Sequence, residues 1–591
     1  MKTNALSPNP QLIRSRIGKV CVAIIGTTIS DMIERASAAI KETNFIEFRL
    51  DYLDKPALAL PKLKQFLSEN TATTAVATCR RSANGGKFDG TVNAEAEILT
   101  KAAQSGFHIV DVELESAQEL KKAELQKLRE AGAAVLISFH DFKQTPDLDE
   151  VLARIQPFEP DFIKIVPTAK TLTDNVTMMR FLERVSDHSN IIGTCMGDAG
   201  IISRVLGVRA GSVFTFASAT AGEETAPGQI AARTLLETYR IDQVDAATKV
   251  YGVAGNPIRG SLSPLMMNTA FRRETVNAVY LALQTDKLSD LLTLVRQTPI
   301  QGLSITMPLK QEIMAHLAHT DPLSAKIGAC NTVLRAPDGK LYGFNTDVAG
   351  IVAPLERRLS LRGAKVLVLG AGGAARAAVF ALRDKGAEVS ILNRTAETAA
   401  KLAKQSGAKV IKKEAVAKTA FDVIINATPI GMAGNKSAQL LEPEDLNTKL
   451  VFDLVYNPIE TPLLSMARKK GIPVIAGVEM FVQQGARQFE IWTGKPAPEE
   501  EMLRVVLHAL RQRGESASDL PVEAVRKTTR ISSDEDLSDD QHEEPEEEII
   551  EPVKEKVKEK AKEKPKAKVA AKAPSKTATK TATKTPAKSA K

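Results

Sequence analysis

Cysteine is scarce. The chain has four in 591 residues, at positions 21, 79, 195 and 330, with no CxxC pair. Such spacing argues against a disulfide framework and against a Cys-rich zinc site, and it fits a reducing, cytoplasmic compartment. Aromatic residues make up 4% of the chain, with a single tryptophan, Trp492. In its setting EIWTGKPAP that residue is expected to pack a helix end rather than to stack on a base. No apolar run reaches about 18 residues, which argues against a membrane-spanning helix. The opening MKTNALSPNPQLIRSR has no hydrophobic segment and does not read as a secretory signal.

One-sided charge is also missing from most of the chain, although the formal net charge is +8. Ten acidic residues and no Lys or Arg lie between Ile531 and Ile550, whereas Glu551–Lys591 holds fourteen lysines against four glutamates. The two blocks cancel, so the excess belongs to residues 1–530, where no basic stripe is visible and nucleic-acid binding is not the default. Beyond residue 513 the composition turns to Ser, Asp and Glu, then Lys, Ala, Pro and Thr, with KTATKTATKTPAK as a short repeat. Such a segment buries too little apolar surface to offset its ordering entropy, so residues 514–591 are expected to be disordered. A Lys-rich tail could bind nucleic acid or an acidic partner with strong salt dependence, or pair with the neighbouring acidic block.

From Val20 to Tyr239 short β-branched runs alternate with helical spacing. The runs are VCVAIIG, FIEFRLD, TAVATCR, HIVDVEL, AAVLISFHD, DFIKIVP, NIIGTCM and SVFTFAS. Eight strand–helix units in about 220 residues predict an α/β fold of the (β/α)8 TIM-barrel type, with an open doubly wound sheet as the alternative. A second α/β pattern begins at Val250. It includes the strand KVLVL, the glycine turn GAGGAA and a helix, which together predict a Rossmann lobe. The predicted domains are an N-terminal extension (1–18), the barrel (19–243), a first lobe (248–350), a Rossmann lobe with returning C-terminal helices (351–513) and the tail (514–591).

Barrel chemistry sits at the C-terminal strand ends. Those ends carry Glu47, Arg49, Asp51, Arg80, Asp111, Glu113, His140, Asp141 and Lys164, with Arg204 and Gln229 on the last loops. Arginine forks hold carboxylates. A lysine in the apolar setting Ile163-Lys164-Ile165 is a Schiff-base candidate, and a nearby histidine could remove a proton α to the imine. EFRLD, SFHDF, IKIVPTAK, GIISRVLG and TAPGQI together resemble type I 3-dehydroquinate dehydratases. The resemblance implies Lys164 as the imine-forming residue and His140 as the general base and later acid. It implies Glu47, Arg49, Arg80, Arg204, Thr225 and Gln229 as substrate ligands. Asn84 stands where that family commonly has an acid, which puts the rate in question, and Thr225 replaces a usual serine.

In the second module, Gly370, Ala371, Gly372, Gly373 and Ala374 open the glycine turn, which would let a pyrophosphate approach a helix N-terminus. The next strand ends in Asn393, Arg394 and Thr395 where an NAD-binding fold places an acid. A guanidinium there suits a 2′-phosphate and predicts NADP(H). GNPIRGSLSP, GLSITMPLK, GACNTV, GFNTDVAG, NATPIGM, FDLVYNPIETPLL and GVEMFVQQGARQFEIWTG resemble the shikimate dehydrogenases. That resemblance implies Lys310 and Asp347 as the catalytic pair. Ser261, Ser263, Thr306, Asn331, Tyr456 and Gln484 would bind substrate, and Leu454 and Gly477 would line the nicotinamide side. Gly260 stands where the family often has a histidine. His316 and His319, in KQEIMAHLAHT, have no third ligand nearby and are expected on a solvated helix face, so no metal is predicted. The domain order resembles the plant fusion of the two enzymes, and the substrates implied are 3-dehydroquinate and 3-dehydroshikimate. The rivals are a quinate/shikimate dehydrogenase running oxidatively with NAD, a chain with a weakened dehydratase, and a tail-driven binding protein.

Overall fold

The computed structural model describes residues 9–513 apart from 121, 259 and 436, and all of these fall within one compact unit. The tail from 514 onward, with the predictions made for it, lies outside the described residues.

The eight predicted strands form where the β-branched runs stand: β1 (Val20–Ile24), β2 (Phe45–Arg49), β3 (Thr74–Thr78), β4 (Ile109–Glu113), β5 (Ala134–His140), β6 (Phe162–Val166), β7 (Ile191–Gly193) and β8 (Thr215–Ser218). A two-residue strand, β9 (Ile230–Ala231), joins β8 at the edge. All are parallel and run in the order β7-β6-β5-β4-β3-β2-β1-β8-β9. Strands covered on both faces read as continuous apolar runs, which is why VCVAI and TAVAT lack alternation. The sheet curls so that β8 pairs with β1. Its far ends meet through isolated backbone bonds, Val213 N–H to the Ile191 carbonyl at 2.9 Å and Gly197 N–H to the Pro227 carbonyl at 3.0 Å, rather than through a strand ladder. The curled sheet's interior holds Cys21, Phe45, Val76, Ile109, Leu136, Phe162, Ile192 and Phe214, and Ile13 packs with them. Ile13 belongs to a short helix, Pro10–Arg16, capped by Asn9. The predicted N-terminal extension is thus partly a folded piece of the barrel.

The second module has two sheets. The first runs β11-β10-β12-β14-β15-β13 and is mixed: β10 (Lys249–Gly255), β11 (Ala278–Gln284) and β12 (Ile300–Ile305) are parallel, and β14 (Thr332–Arg335) is antiparallel to both β12 and β15 (Leu341–Phe344). β13 is the short pair His319–Thr320. The second sheet is wholly parallel, with β16 (Lys365–Leu369) and β19 (Phe421–Asn426) at its centre. β17 (Glu388–Leu392) and β18 (Lys409–Val410) lie on one side, and β20 (Thr448–Asp453) and β21 (Val474–Ile475) on the other. That order is the Rossmann arrangement, with its switch point beside β16.

The helices Gly477–Thr493 and Glu499–Gln512 return to the first lobe. There Phe489, Trp492, Val506 and Leu510 pack with Tyr251, Met266 and Phe271. Trp492 stacks at a tilt on Tyr251 and donates its indole N–H to the Val333 carbonyl at 3.0 Å, the packing role predicted for it. The region of His316 and His319 differs from the prediction. Only a short 3-10 helix, Glu312–His316, forms, and His319 lies on β13 stacked against Tyr342.

Candidate active sites

Period-two geometry builds the barrel site. Glu47 and Arg49, Asp111 and Glu113, and Ser138 and His140 are pairs two residues apart, so each pair shares the inward face of its strand. Strand register then aligns them: Glu113 stands opposite Ser138, and Ser138 opposite Lys164. Lys164, only 4% exposed, places Nζ 3.0 Å from Asp111 and 3.8 Å from Glu47, and 3.9 Å from the centre of the Phe216 ring. Glu47 also accepts from the Thr78 hydroxyl at 2.6 Å. Arg80 bridges Asp111 (3.1 Å) and Glu113 (3.2 Å).

His140 Nδ1 lies 2.9 Å from Glu113, which fixes the tautomer with Nδ1–H toward the carboxylate and leaves Nε2 as a base. Burial, then the nearby Arg80 and Lys164 charges, holds the imidazole well below its ordinary value, so it rests neutral. Burial pushes Glu113 up to about 7, against the pull of Arg80. For Asp111 burial acts in the same upward sense, but Lys164 and Arg80 outweigh it and keep the carboxyl below the usual range.

Arg204 is the outlier. It is 2% exposed, donates from Nη2 to the Pro227 carbonyl at 3.2 Å, leaves Nε without a partner and has no carboxylate partner among the described residues. Burial lowers it from 12.5 to about 10. A dry guanidinium without a counter-ion carries a desolvation cost that no opposite charge offsets. On the loop between β8 and β9, Gln229 Oε1 accepts from both the backbone and the hydroxyl of Thr225, so Thr225 holds Gln229 in place. Arg49, predicted as a substrate ligand, spends Nε and Nη2 on Asp51 at 2.9 and 2.8 Å. Asn84 donates to Glu115 at 3.3 Å, a contact in which an acid would instead face like charge.

The pocket of the second module, about 590 Å³, collects most of its predicted residues: Ser261, Ser263, Thr306, Lys310, Asn331, Asp347, Tyr456, Gln484 and Leu454. Lys310 Nζ is 2.5 Å from Asp347 Oδ2, and Asn331 donates to the other Asp347 oxygen at 2.7 Å. Asn331 is itself fixed by the Thr346 N–H, which donates to its carbonyl oxygen at 2.7 Å. Tyr456 stacks on Phe481 with ring centres 4.4 Å apart. Sequence reasoning missed Gln488. It is four residues after Gln484 on one helix face and accepts from Ser304, whose oxygen is in turn bonded by the Tyr280 hydroxyl.

Whether the chain can hold a dinucleotide is tested at the glycine turn. Gly370 has φ +112 and would press a Cβ against Thr428 and Ala427, whereas a Cβ on Gly372 would meet nothing within 4 Å. Gly372 caps the helix Gly373–Asp384, so open space faces that N-terminus. Ala374 and Leu454 line the adjoining pocket, and Ala371 is partly buried. Gly477 lets its helix approach the Leu454–Val455 backbone, where a Cβ would come within 2.3 Å of a carbonyl oxygen. Arg394 and Thr395 are exposed at the end of β17, and Asn393 bonds the Thr395 carbonyl. These residues fit a phosphorylated dinucleotide. Among the described residues no cluster of three metal-ligating side chains occurs.

Comparison with known families agrees with this geometry. The type I 3-dehydroquinase family matches residues 20–246. The shikimate dehydrogenase substrate-binding domain matches 253–333, the shikimate/quinate 5-dehydrogenase family 354–458, and the shikimate 5-dehydrogenase C-terminal domain 477–507. The bifunctional 3-dehydroquinate dehydratase/shikimate dehydrogenase, chloroplastic, of Arabidopsis thaliana is 35% identical over 520 residues, 83% of each chain. The shikimate dehydrogenase (NADP(+)) of Methanosarcina acetivorans is 40% identical over 283 residues, covering 44% of this chain and 99% of its own. A crystal structure of the Thermus thermophilus shikimate 5-dehydrogenase with NADP(H) and shikimate is 35% identical over 44% of this chain and all of its own, with a TM-score of 0.42. Two modules in this order, matched over 83% of the chain by a fusion of the same two enzymes, place the chain in the family of bifunctional 3-dehydroquinate dehydratase/shikimate dehydrogenases.

Proposed function

We propose that the barrel converts 3-dehydroquinate to 3-dehydroshikimate through an imine on Lys164, and that the second module reduces that product to shikimate with NADPH. The observation that carries the first half is Lys164 held between Asp111 and Glu47 beside a neutral His140. Lys164 passes its ammonium proton to the neutral His140. The free amine condenses with the ring ketone, and the ketone oxygen takes that proton back as it leaves as water, which returns His140 to its neutral form. His140 Nε2 takes a proton from the carbon α to the imine and returns it to the departing hydroxyl, which leaves as a second water. Water then hydrolyses the product imine and frees Lys164. Glu113 orients the imidazole throughout, and Arg204 holds the substrate carboxylate.

In the second site bound NADPH supplies the hydride. Gly370–Ala374 and the N-terminus of the helix Gly373–Asp384 would hold its pyrophosphate, and Arg394 its 2′-phosphate. Lys310 donates a proton to the nascent alkoxide, and Asp347 keeps the ammonium in place. Asn331, locked by Thr346, fixes Asp347. Ser261, Ser263, Thr306, Tyr456 and Gln484 bind the carboxylate and hydroxyls of the substrate. Arg394 favours NADPH over NADH, against the oxidative NAD reading.

Borohydride added with 3-dehydroquinate tests the first half. A stable mass adduct on Lys164 supports it, and an unmodified Lys164 with turnover under way contradicts it. We also propose a cytoplasmic location, supported by four free, buried cysteines and tested by cell fractionation. The Lys-rich tail is proposed to have no part in either reaction. Deleting residues 514–591 should leave both turnover rates unchanged, and any retention on heparin should disappear with the deletion.

A further inference from the structure

A cavity of about 310 Å³ lies at the junction of the barrel and the first lobe, and none of its lining residues has a part in either reaction. Residues between 238 and 244, past the last barrel strand, form one wall. The end of the helix Ser263–Arg273 and the segment after it form the other. The volume falls at the lower end of pockets that take small molecules, about 300–1,000 Å³.

The lining holds two guanidiniums, Arg240 and Arg272, and no carboxylate. Neither makes an ion pair or a side-chain hydrogen bond among the described residues. Glu501, whose charge reaches Arg272, spends its oxygens on Arg504 at 2.9 and 2.5 Å. Asp245, outside the lining, is taken up by three donors: Asn277 (3.2 Å), the Thr248 hydroxyl (2.9 Å) and the Ala247 N–H (3.0 Å). Tyr239 lines the cavity, is 8% exposed, and its hydroxyl has no partner among the described residues. Burial pushes that phenol up to about 12, so it stays a donor.

The backbone is strained at the same place. Among the described residues three non-glycine positions have left-handed φ, and two of them, Arg240 (+47) and Thr275 (+52), line this cavity. The helices ending at Ile327, Ser406 and Thr493 make that turn with Gly328, Gly407 and Gly494, the residue that makes it at least cost. Thr275 follows the helix Ser263–Arg273 where the Val276 N–H closes back on the Phe271 carbonyl at 2.8 Å, a motif in which glycine is usual. A β-branched residue there is an outlier. Such strain clusters at functional sites.

Elsewhere the junction is held by bonds of its own. Asp290, from the first lobe, accepts from the N–H groups of Leu172 (2.8 Å) and Thr173 (3.1 Å) and so caps the barrel helix Leu172–Val185. Arg209 of the barrel donates to the Ala246 and Thr248 carbonyls at 2.6 and 3.2 Å. At this cavity each module instead contributes a cation. The two like charges repel, and an anion of two or more charges would join them.

We propose that the cavity binds a small oxyanion with at least two negative charges, a phosphate ester or a polycarboxylate, held by Arg240 from the barrel and Arg272 from the first lobe. Tyr239 adds a neutral donor. The bound anion ties the two modules at a further point, so it acts on the stability of the junction and not on the chemistry of either site.

The test is a thermal melt of the full chain with glycerol 3-phosphate or citrate, with sodium chloride at equal ionic strength as the reference. At about 10 mM, one or both should raise the melting temperature by about 2 °C or more. A rise with glycerol 3-phosphate alone identifies a phosphate ester, and a rise with citrate alone a polycarboxylate. No rise with either overturns the proposal. By titration calorimetry R240Q and R272Q should each weaken binding about tenfold, and the double variant should abolish the rise. R204M and R394Q, which remove an anion ligand from each active site, should keep it. A rise that persists in the double variant, or that disappears in R204M or R394Q, overturns the proposal. R240G separates binding from folding. Glycine relieves the strain, so without anion this variant should melt no lower than the wild type, and it should still lose the rise. A rise retained in R240G contradicts the site.

Discussion

Replacing Arg204 with methionine should make the barrel more stable and nearly inactive. The guanidinium is buried, has an unpaired Nε and has no carboxylate partner among the described residues. Burial lowers it from 12.5 to about 10, the direction expected when a charge is kept dry. At about 1.4 kcal/mol per tenfold change in proton affinity, that shift is a penalty of about 3 kcal/mol on the charged form. R204M removes it and loses one hydrogen bond, to the Pro227 carbonyl, worth about 1 kcal/mol. Methionine fills much of the same volume with an unbranched chain. The balance is a gain of about 2 kcal/mol in the absence of substrate. Losing a desolvated carboxylate partner should lower kcat/KM for dehydration about 10²–10³-fold. Because the only tryptophan, Trp492, sits in the dehydrogenase, fluorescence does not report on the barrel. Hydrogen exchange of the barrel strands in a urea series does, and dehydroquinate should protect the wild type far more than R204M. A variant less stable than wild type by about 1 kcal/mol, or one whose kcat/KM stays within about tenfold, would refute the reasoning.

Other expectations follow from the same geometry. Glu113, raised to about 7, must be ionised to orient His140, so dehydration should lose rate as pH falls through about 7. In E113Q a much slower reaction should lack that limb, which a pH–rate profile checks. D290A should cost about 1–2 kcal/mol through loss of a helix cap, with D290N losing less; a thermal melt of the full chain measures both. Burial raises the Asp453 carboxyl to about 6, so the native state keeps a proton that the unfolded chain releases. Its contribution to stability is therefore largest below about pH 4 and falls as pH rises to about 6. Urea midpoints followed through Trp492 should show that slope in the wild type and a flatter one in D453N.

The barrel was legible because strands buried on both faces must be continuous apolar runs, and each run from VCVAI to TFAS became a strand. The Rossmann turn was legible because glycine at a strand–helix junction has few other uses. Two features were not. The helix Pro10–Arg16 is too short for periodicity to register, and its ties to the barrel are the buried Ile13 and two hydrogen bonds, Arg14 to Asn190 and Asn44 to the Arg16 carbonyl. Asp111 and Glu113 were visible as strand-end acids, but their roles depend on register across β4, β5 and β6, which one sequence does not display. Arg49 also depends on its neighbour: Asp51, two residues away, takes Nε and Nη2, a pairing that residue type alone does not display. Gln488 could have been found from its spacing to Gln484 once the helix Gly477–Thr493 was assigned.

The most direct test of the two-step account needs one cuvette. Purified full-length protein, 3-dehydroquinate and NADPH are mixed without any other enzyme, and absorbance of the reduced nicotinamide is followed. The account predicts loss of NADPH, because the second site can act only on what the first site makes. A steady signal that persists after 3-dehydroshikimate is also added would contradict it.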